Sequence, residues 1–245
     1  MFMNKILGYV FSPIFYLLFF LTLIIFQPIQ WICYRFGYPA HKKSVEYLNF
    51  FLTYCQIFLG NSTTFHDRSD IPLDRPKIFV ANHQSMYDIP PFFWFLRRHH
   101  VKFISKIELT RGIPSISFNL KYGGGANIDR KDSKQAIAEI LKLGKRMTDN
   151  NWSAVIFPEG TRAKDGKLKP FQIGGIATLM KTAPNALIVP VVVENSWKVV
   201  QYGAFPLSFG ERLKWTVLAP IDTQGKNAEE ITREAEHAIR TALWQ

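Results

Sequence analysis

From Ile6 to Phe26 the chain reads ILGYVFSPIFYLLFFLTLIIF, 21 residues without a single charge. At 1.5 Å per residue a helix of that length covers roughly 30 Å, the thickness of a bilayer's hydrocarbon core. A secretory signal is the competing reading. No small-residue cleavage site follows, however; QPIQWICYRFGYP does, and then a second apolar stretch, SVEYLNFFLTYCQIFLG, from Ser44 to Gly60. That second stretch is too short and too mixed to span comfortably, and reads as a helix lying in the interface or on the domain. Pro13 and Pro28 argue against one straight spanning rod, since a proline inside a helix removes a hydrogen bond and kinks it. The expectation is an apolar, membrane-anchoring element over residues 1–60, a bent and shallowly inserted pair of helices.

After Gly60 the texture becomes globular. KIFVA (Lys77 to Ala81), VKFIS (Val101 to Ser105), ANID (Ala126 to Asp129), SAVIF (Ser153 to Phe157), ALIVPVVV (Ala186 to Val193) and KWTVLA (Lys214 to Ala219) are short β-rich runs. Several are almost continuously apolar, as strands covered on both faces are. Helical patterns alternate with them. DSKQAIAEILKLGKRM puts Ile137, Ile140, Leu141 and Gly144 on one face, with Asp132 or Ser133 as its cap. A last helix opens with Asn227 three residues before Glu230, a capping-box start, and turns Ile231, Ala235, Ala238 and Ile239 inward. Alternation of this kind predicts an α/β fold with a largely parallel central sheet flanked by helices, filling residues 61–245 as one domain. In such sheets chemistry gathers at the carboxyl ends of the strands.

A formal net charge of +11 suits nucleic acid, anionic phosphate groups including those of a membrane, or a merely basic soluble protein. No aromatic-and-basic register repeats, so a nucleic-acid partner is not expected. Cys33 and Cys55 stand in apolar surroundings without metal-ligand spacing and read as buried thiols in a reducing compartment. There is no G-x-S-x-G elbow and no H-E-x-x-H, and GTRAKDGKL has the wrong spacing for a phosphate loop.

What the strand ends do carry is suggestive. KIFVA runs directly into Asn82 and His83, and Asp88 follows five residues later, ahead of Pro90 and Pro91. A separation of five does not share a helical face, so the two side chains meet only across a turn. Asp88 as N-cap puts both prolines in the first helical turn, where a missing N–H costs little; Ser85 as cap would sink Pro90 a turn too deep. An irregular turn is the other possibility. Either way a carboxylate is within reach of an imidazole, the arrangement of an oriented base, although a helix cap beside a surface histidine has the same spelling. SAVIF leads into Pro158, Glu159, Gly160, Thr161 and Arg162, where Gly160 allows close backbone approach and Arg162 offers a fork for phosphate. Glu159 accepts a hydrogen bond from a hydroxyl or pairs with Arg162. Lys106 and Arg130 stand at two further strand exits.

Taken in order, NHQSMYD, KIEL…GIPS, IDR, FPEGTR and IVPVVV closely resemble the glycerophospholipid acyltransferases, most of all the 1-acylglycerol-3-phosphate acyltransferases. The resemblance extends from about Ile6 to Ala219, and the ordered set is far more specific than any one member. It implies transfer of a fatty acyl group from a thioester, on coenzyme A or acyl carrier protein, to the sn-2 hydroxyl of lysophosphatidate, giving phosphatidate; the alternatives are another lysolipid acceptor, or a non-catalytic membrane protein that binds anionic lipids. It implies His83 as general base, oriented by Asp88, and Arg130 and Arg162 on the acceptor's phosphate with help from Lys106. Glu159, with Gly160 and Thr161 beside it, would position the glycerol. No metal or resident cofactor is called for, and the location implied is the cytosolic face of a cell's inner membrane. Two departures bear on the headgroup: Ala163 where the family often has Ser, and Gln172 where it often has Lys.

Overall fold

The computed structural model describes residues 2–68 and 70–244. Its centre is a seven-stranded sheet in the order β1-β7-β6-β2-β5-β3-β4. The strands are β1 (Ser62–His66), β2 (Lys77–Ala81), β3 (Val101–Lys106), β4 (Ala126–Ile128), β5 (Ser153–Ile156), β6 (Leu187–Glu194) and β7 (Arg212–Val217). Every pairing is parallel except β6 with β7, so the sheet is mixed but mostly parallel, as the alternation predicted. The six expected strands are all present. The seventh, β1, is polar and half exposed at the sheet's edge, which is why no apolar run announced it.

Two cores explain the continuous apolar strands. Successive side chains point to opposite faces. Thus Phe79 and Ala81 of β2 join Val189, Val191 and Val193 of β6 on one face, while Ile78 and Val80 join Ile188 and Val192 on the other. The second face is covered by α5 (Ser133–Asn150), α6 (Ile173–Thr182) and α7 (Ala228–Leu243). On α5 the inward stripe is Ile140, Leu143, Gly144 and Met147; Ile137 is half exposed and Leu141 only partly buried, so the expected face is shifted by a fraction of a turn. Gly144 fixes the phase, because α6 crosses so closely that a methyl group there would meet Thr182 Oγ1 at 2.1 Å. The Asn227–Glu230 capping box of α7 is present as read.

The first face is covered by α1 (Phe2–Arg35), α2 (Tyr38–Tyr54) and the short α3 (Ile89–Phe95). Phe15, Phe19, Leu23 and Phe26 of α1 are buried in the same core as Tyr87, Phe92 and the sheet. Each large side chain so buried is worth about 1.5–3 kcal/mol. Pro13 and Pro28 lie inside α1 without ending it. Tertiary bonds fasten the helix on either side of Pro13: Leu207 N donates to Ser12 Oγ at 2.8 Å, and Tyr16 Oη donates to Ala204 O. The outer side of α1 keeps Ile14, Leu17, Leu21, Ile24, Ile25 and Ile32 exposed, and the helix is long and apolar enough to cross a membrane. Such a helix marks the chain as membrane-associated.

Candidate active site

β2 ends at Ala81, and the next side chain extends its pairing. Asn82 Nδ2 donates to Val193 O at 2.8 Å while Val193 N donates to Asn82 Oδ1 at 2.7 Å, locking the strand exit against β6. His83 is then held on every side. Its N–H donates to Glu159 Oε1 at 2.7 Å and its carbonyl accepts from Ala163 N at 2.7 Å. Its ring lies on Phe157, centroids 4.1 Å apart and 14° from parallel. Nδ1 is 2.8 Å from Asp88 Oδ2. A carboxylate accepts only, so Nδ1 is the donor, and in the neutral ring Nε2 is then the nitrogen with the lone pair.

Asp88 is fully buried and saturated. Oδ2 also accepts from Gln84 N at 2.6 Å and Ser85 N at 3.0 Å, and Oδ1 accepts from Ser85 Oγ at 3.3 Å and from Ser196 Oγ. These donors fix the orientation of the carboxylate. The two caps that looked like alternatives coexist. Ser85 caps a single 3₁₀ turn, Met86–Asp88, in a capping box with Asp88, and α3 starts at Ile89 with its prolines in the first turn. Asp88 thus occupies the N-cap position of α3, but its side chain makes no capping bond there and turns back to His83. A change of helix type removes the steric objection to Ser85.

His83 opens onto a cleft of about 2100 Å³ whose lining includes Lys106, Arg130, Gly160, Thr161 and Arg162. The strand-end residues therefore do meet. Lys106, Arg130 and Arg162 form no ion pair among the described residues, leaving three uncompensated cations around one histidine. Glu159 is 6% exposed. It pairs with no arginine: Oε1 accepts from His83 N and Oε2 from Lys169 N at 3.0 Å. Burial pushes its pKa up, against those two bonds and the nearby charges. It clamps the loop to the histidine's backbone. Gly160 is glycine for its backbone, φ +70, and not for lack of room, since a methyl group there would meet nothing within 4 Å. Thr161 Oγ1 accepts from Lys169 Nζ at 2.9 Å, and the same amine donates to Arg162 O at 2.8 Å.

Four contributors escaped the sequence reading: Asn82, Phe157, Lys169 and Ser196. Asn82 and Phe157 adjoin named residues and carried a weak signal, each being the first residue beyond a strand's end. Ser196 lies 108 positions from Asp88, and nothing local marks it.

A second, mostly apolar pocket of about 1080 Å³ adjoins the cleft, sharing Ile89, Phe103, Ser105, Leu109 and Arg162 with it. It runs between the sheet and the two N-terminal helices, walled by Phe19, Leu48, Leu52 and Phe93.

An oriented imidazole, unpaired cations and an apolar annex lie together at one edge of the mostly parallel sheet. The acyltransferase family model matches residues 62–194, more than half of the chain, and the chain belongs to that family. Among relatives, a chloroplastic 1-acyl-sn-glycerol-3-phosphate acyltransferase of Brassica napus is 29% identical over 170 residues, 69% of this chain and 47% of the relative. The enzyme of that name from Helicobacter pylori is 39% identical over 127 residues, 50% of each chain. The chain spans about half the length of these curated relatives. The crystal structure of the 1-acyl-sn-glycerophosphate acyltransferase from Thermotoga maritima superposes with a TM-score of 0.80, covering 98% of this chain and 95% of that one at 24% identity; it shares the fold.

Proposed function

We propose that the protein transfers a fatty acyl group from a thioester donor to the free sn-2 hydroxyl of 1-acylglycerol-3-phosphate, producing phosphatidate. The observation that carries this reading is the buried, fully hydrogen-bonded Asp88 fixing His83 at the mouth of a cleft that holds Lys106, Arg130 and Arg162 beside an apolar pocket. His83 Nε2 takes the hydroxyl proton as the oxygen attacks the thioester carbonyl. The tetrahedral intermediate then expels the thiolate, the C–S bond breaks, and the imidazolium returns the proton to sulfur. The acceptor is itself the nucleophile, so the step requires no acyl-enzyme. Arg130 and Arg162 hold the acceptor's phosphate, aided by Lys106, and Gly160 and Thr161 form the turn that presents Arg162. The first turn of α6, which has no side-chain cap and begins at Gln172 on the cleft wall, offers the N–H groups of Gly174 and Gly175 to the oxyanion.

Residues 1–60 serve as the membrane-seating element and 61–245 as the catalytic domain. Its lysines and arginines favour the cytosolic side of the cell's inner membrane. The deciding assay crosses acyl-coenzyme A and acyl carrier protein donors with lysophosphatidate, other lysophospholipids and a dephosphorylated acceptor. Turnover is expected with lysophosphatidate; transfer to none of the acceptors from either donor rejects the proposal.

A further inference from the structure

Away from the cleft, the end of α1 and the segment before α4 (Ile116–Tyr122) enclose a notch of about 1000 Å³, lined by Gln27 and Trp31 on one side and Arg111, Gly112, Lys121 and Tyr122 on the other. Nothing assigned above uses it. Three observations bear on what it holds.

Its cations are free. Arg111 and Lys121 are exposed, and neither has a carboxylate partner among the described residues; Glu108 and Asp129, the acids nearest to each in sequence, pair with neither. Its wall is built and rigid. Ser115 holds a left-handed φ of 60, an uncommon conformation for a residue with a side chain. It is kept there by Ser115 N donating to Gln27 Oε1 at 2.5 Å and Ser115 Oγ donating to Leu23 O at 2.6 Å, which rivet the loop to α1. Ile113 N donates to Ser117 Oγ at 3.0 Å, and Ser117 Oγ donates to Leu109 O at 2.9 Å, closing the loop on itself. Strain kept in place by so many bonds is concentrated at functional positions.

The notch also lies at a definite depth. The outer face of α1 carries Ile24, Ile25, Ile29 and Ile32, and at its end Trp31 and Tyr34 join them, with the Arg35 guanidinium 4.8 Å from the Trp31 ring. Tyr34 packs on Phe118 and Tyr122 of α4. Aromatic rings mixed with arginine at the end of an apolar helix mark the headgroup level of a bilayer. Two free cations at that level face lipid phosphates.

We infer that the notch between Arg111 and Lys121 binds the headgroup of an anionic membrane phospholipid, a site separate from the acceptor cleft. The phosphate sits between the two cations, and the acyl chains lie along the aliphatic face of α1. A basic residue near an anionic leaflet gains about fivefold in affinity, so the pair supplies on the order of 30-fold preference over a zwitterionic lipid.

The test uses the full chain in detergent, titrated with phosphatidylglycerol or phosphatidylcholine and read by native mass spectrometry, which requires no catalysis. The intact protein should retain phosphatidylglycerol in preference to phosphatidylcholine. R111A/K121A should lose that preference, about 30-fold in affinity, and R111K/K121R should keep most of it. K142A/K145A, an equal loss of charge on α5, should keep it too. So should R130A/R162A, which empties the cleft of its arginines. Retention by R111A/K121A, an equal loss in K142A/K145A, or loss in R130A/R162A would each overturn the site, the last by placing the lipid in the cleft. Because lipid retention is read without turnover, failure here is distinguishable from failure of the acyl-transfer assay.

Discussion

Two buried polar clusters sit at opposite ends of the central strands, and they are built on opposite principles. At the carboxyl end, Asp88 is surrounded by donors and His83 is fixed from backbone to ring. Near the amino end of β3, some 13 Å along the strand from Lys106, Lys102 is 7% exposed and touches no carboxylate. Its amine donates to Tyr38 Oη and lies over the rings of Tyr38 and Trp152, 4.9 and 4.6 Å from their centroids. The His100 ring packs against both of them, 5.5 Å from Tyr38 and 5.0 Å from Trp152 between centroids. Burial, with the charge of Lys42 adding to it, lowers the Lys102 pKa to about 7. At Asp88 the buried charge is compensated by hydrogen bonds; at Lys102 the fold carries a buried charge that it would be more stable without. Burial alone therefore does not mark a working group. Saturation with directed partners does.

The sharpest way to break this contrast is to remove the base. His83→Ala should lower kcat by roughly 10²–10⁴-fold while thermal unfolding changes little, because the side chain stacks on one ring and fills no core. Near-normal turnover in that variant would end the mechanism.

Lys102→Met should act on stability and leave turnover largely intact. Lys102 is protonated in the unfolded chain up to about pH 10.5, but in the folded chain only below about pH 7. Between those values the unfolded chain holds the extra proton, so the Lys102 contribution to stability rises with pH across the window and is flat beneath it. The methionine variant should lose that slope and be more stable at neutral pH, by at most about 5 kcal/mol. A residual slope from about pH 8 belongs to Lys77, buried at the start of β2 and also lowered by burial. Denaturant melts at pH 7 and pH 9.5 decide it; an unchanged slope in Lys102→Met would contradict the account.

Much of this was legible in the chain because each feature had a local cause. Apolar runs bounded by turn residues gave the buried strands, and strand exits gave His83, Lys106, Arg130 and Arg162 a common edge. The rest failed for equally physical reasons. β1 is a polar edge strand with no apolar face to betray it. The phase of α5 is set by the crossing of α6 at Gly144, a tertiary fact. The sequence shows Arg162 near Glu159 but not the backbone N–H, 76 residues away, that its Oε1 accepts. Lys102 passed unnoticed since alternation in β3 does not reveal that its neighbours are rings.

Arg130→Ala and Arg162→Ala sharpen the catalytic half of the comparison. Each should raise KM for a phosphate-bearing acceptor by roughly 10–100-fold, the worth of a charged hydrogen bond, and a dephosphorylated acceptor should be affected much less. Equal losses on both acceptors would make the arginines structural.

The smallest effect is expected at Ser196. Its hydroxyl donates to Asp88 Oδ1, the oxygen not facing His83, where Ser85 Oγ is the other donor. If saturation is what distinguishes the catalytic cluster, one missing donor should be felt but survivable. Ser196→Ala should destabilise the protein by about 1–2 kcal/mol and lower kcat several-fold with KM unchanged, since a less firmly held carboxylate orients the imidazole less well. In a double-mutant cycle with Asp88→Asn, the Ser196 effect on kcat should shrink, because the hydroxyl acts only through that carboxylate. Additive losses would mean that Ser196 acts through Gln84, whose Oε1 lies 3.4 Å from the same hydroxyl.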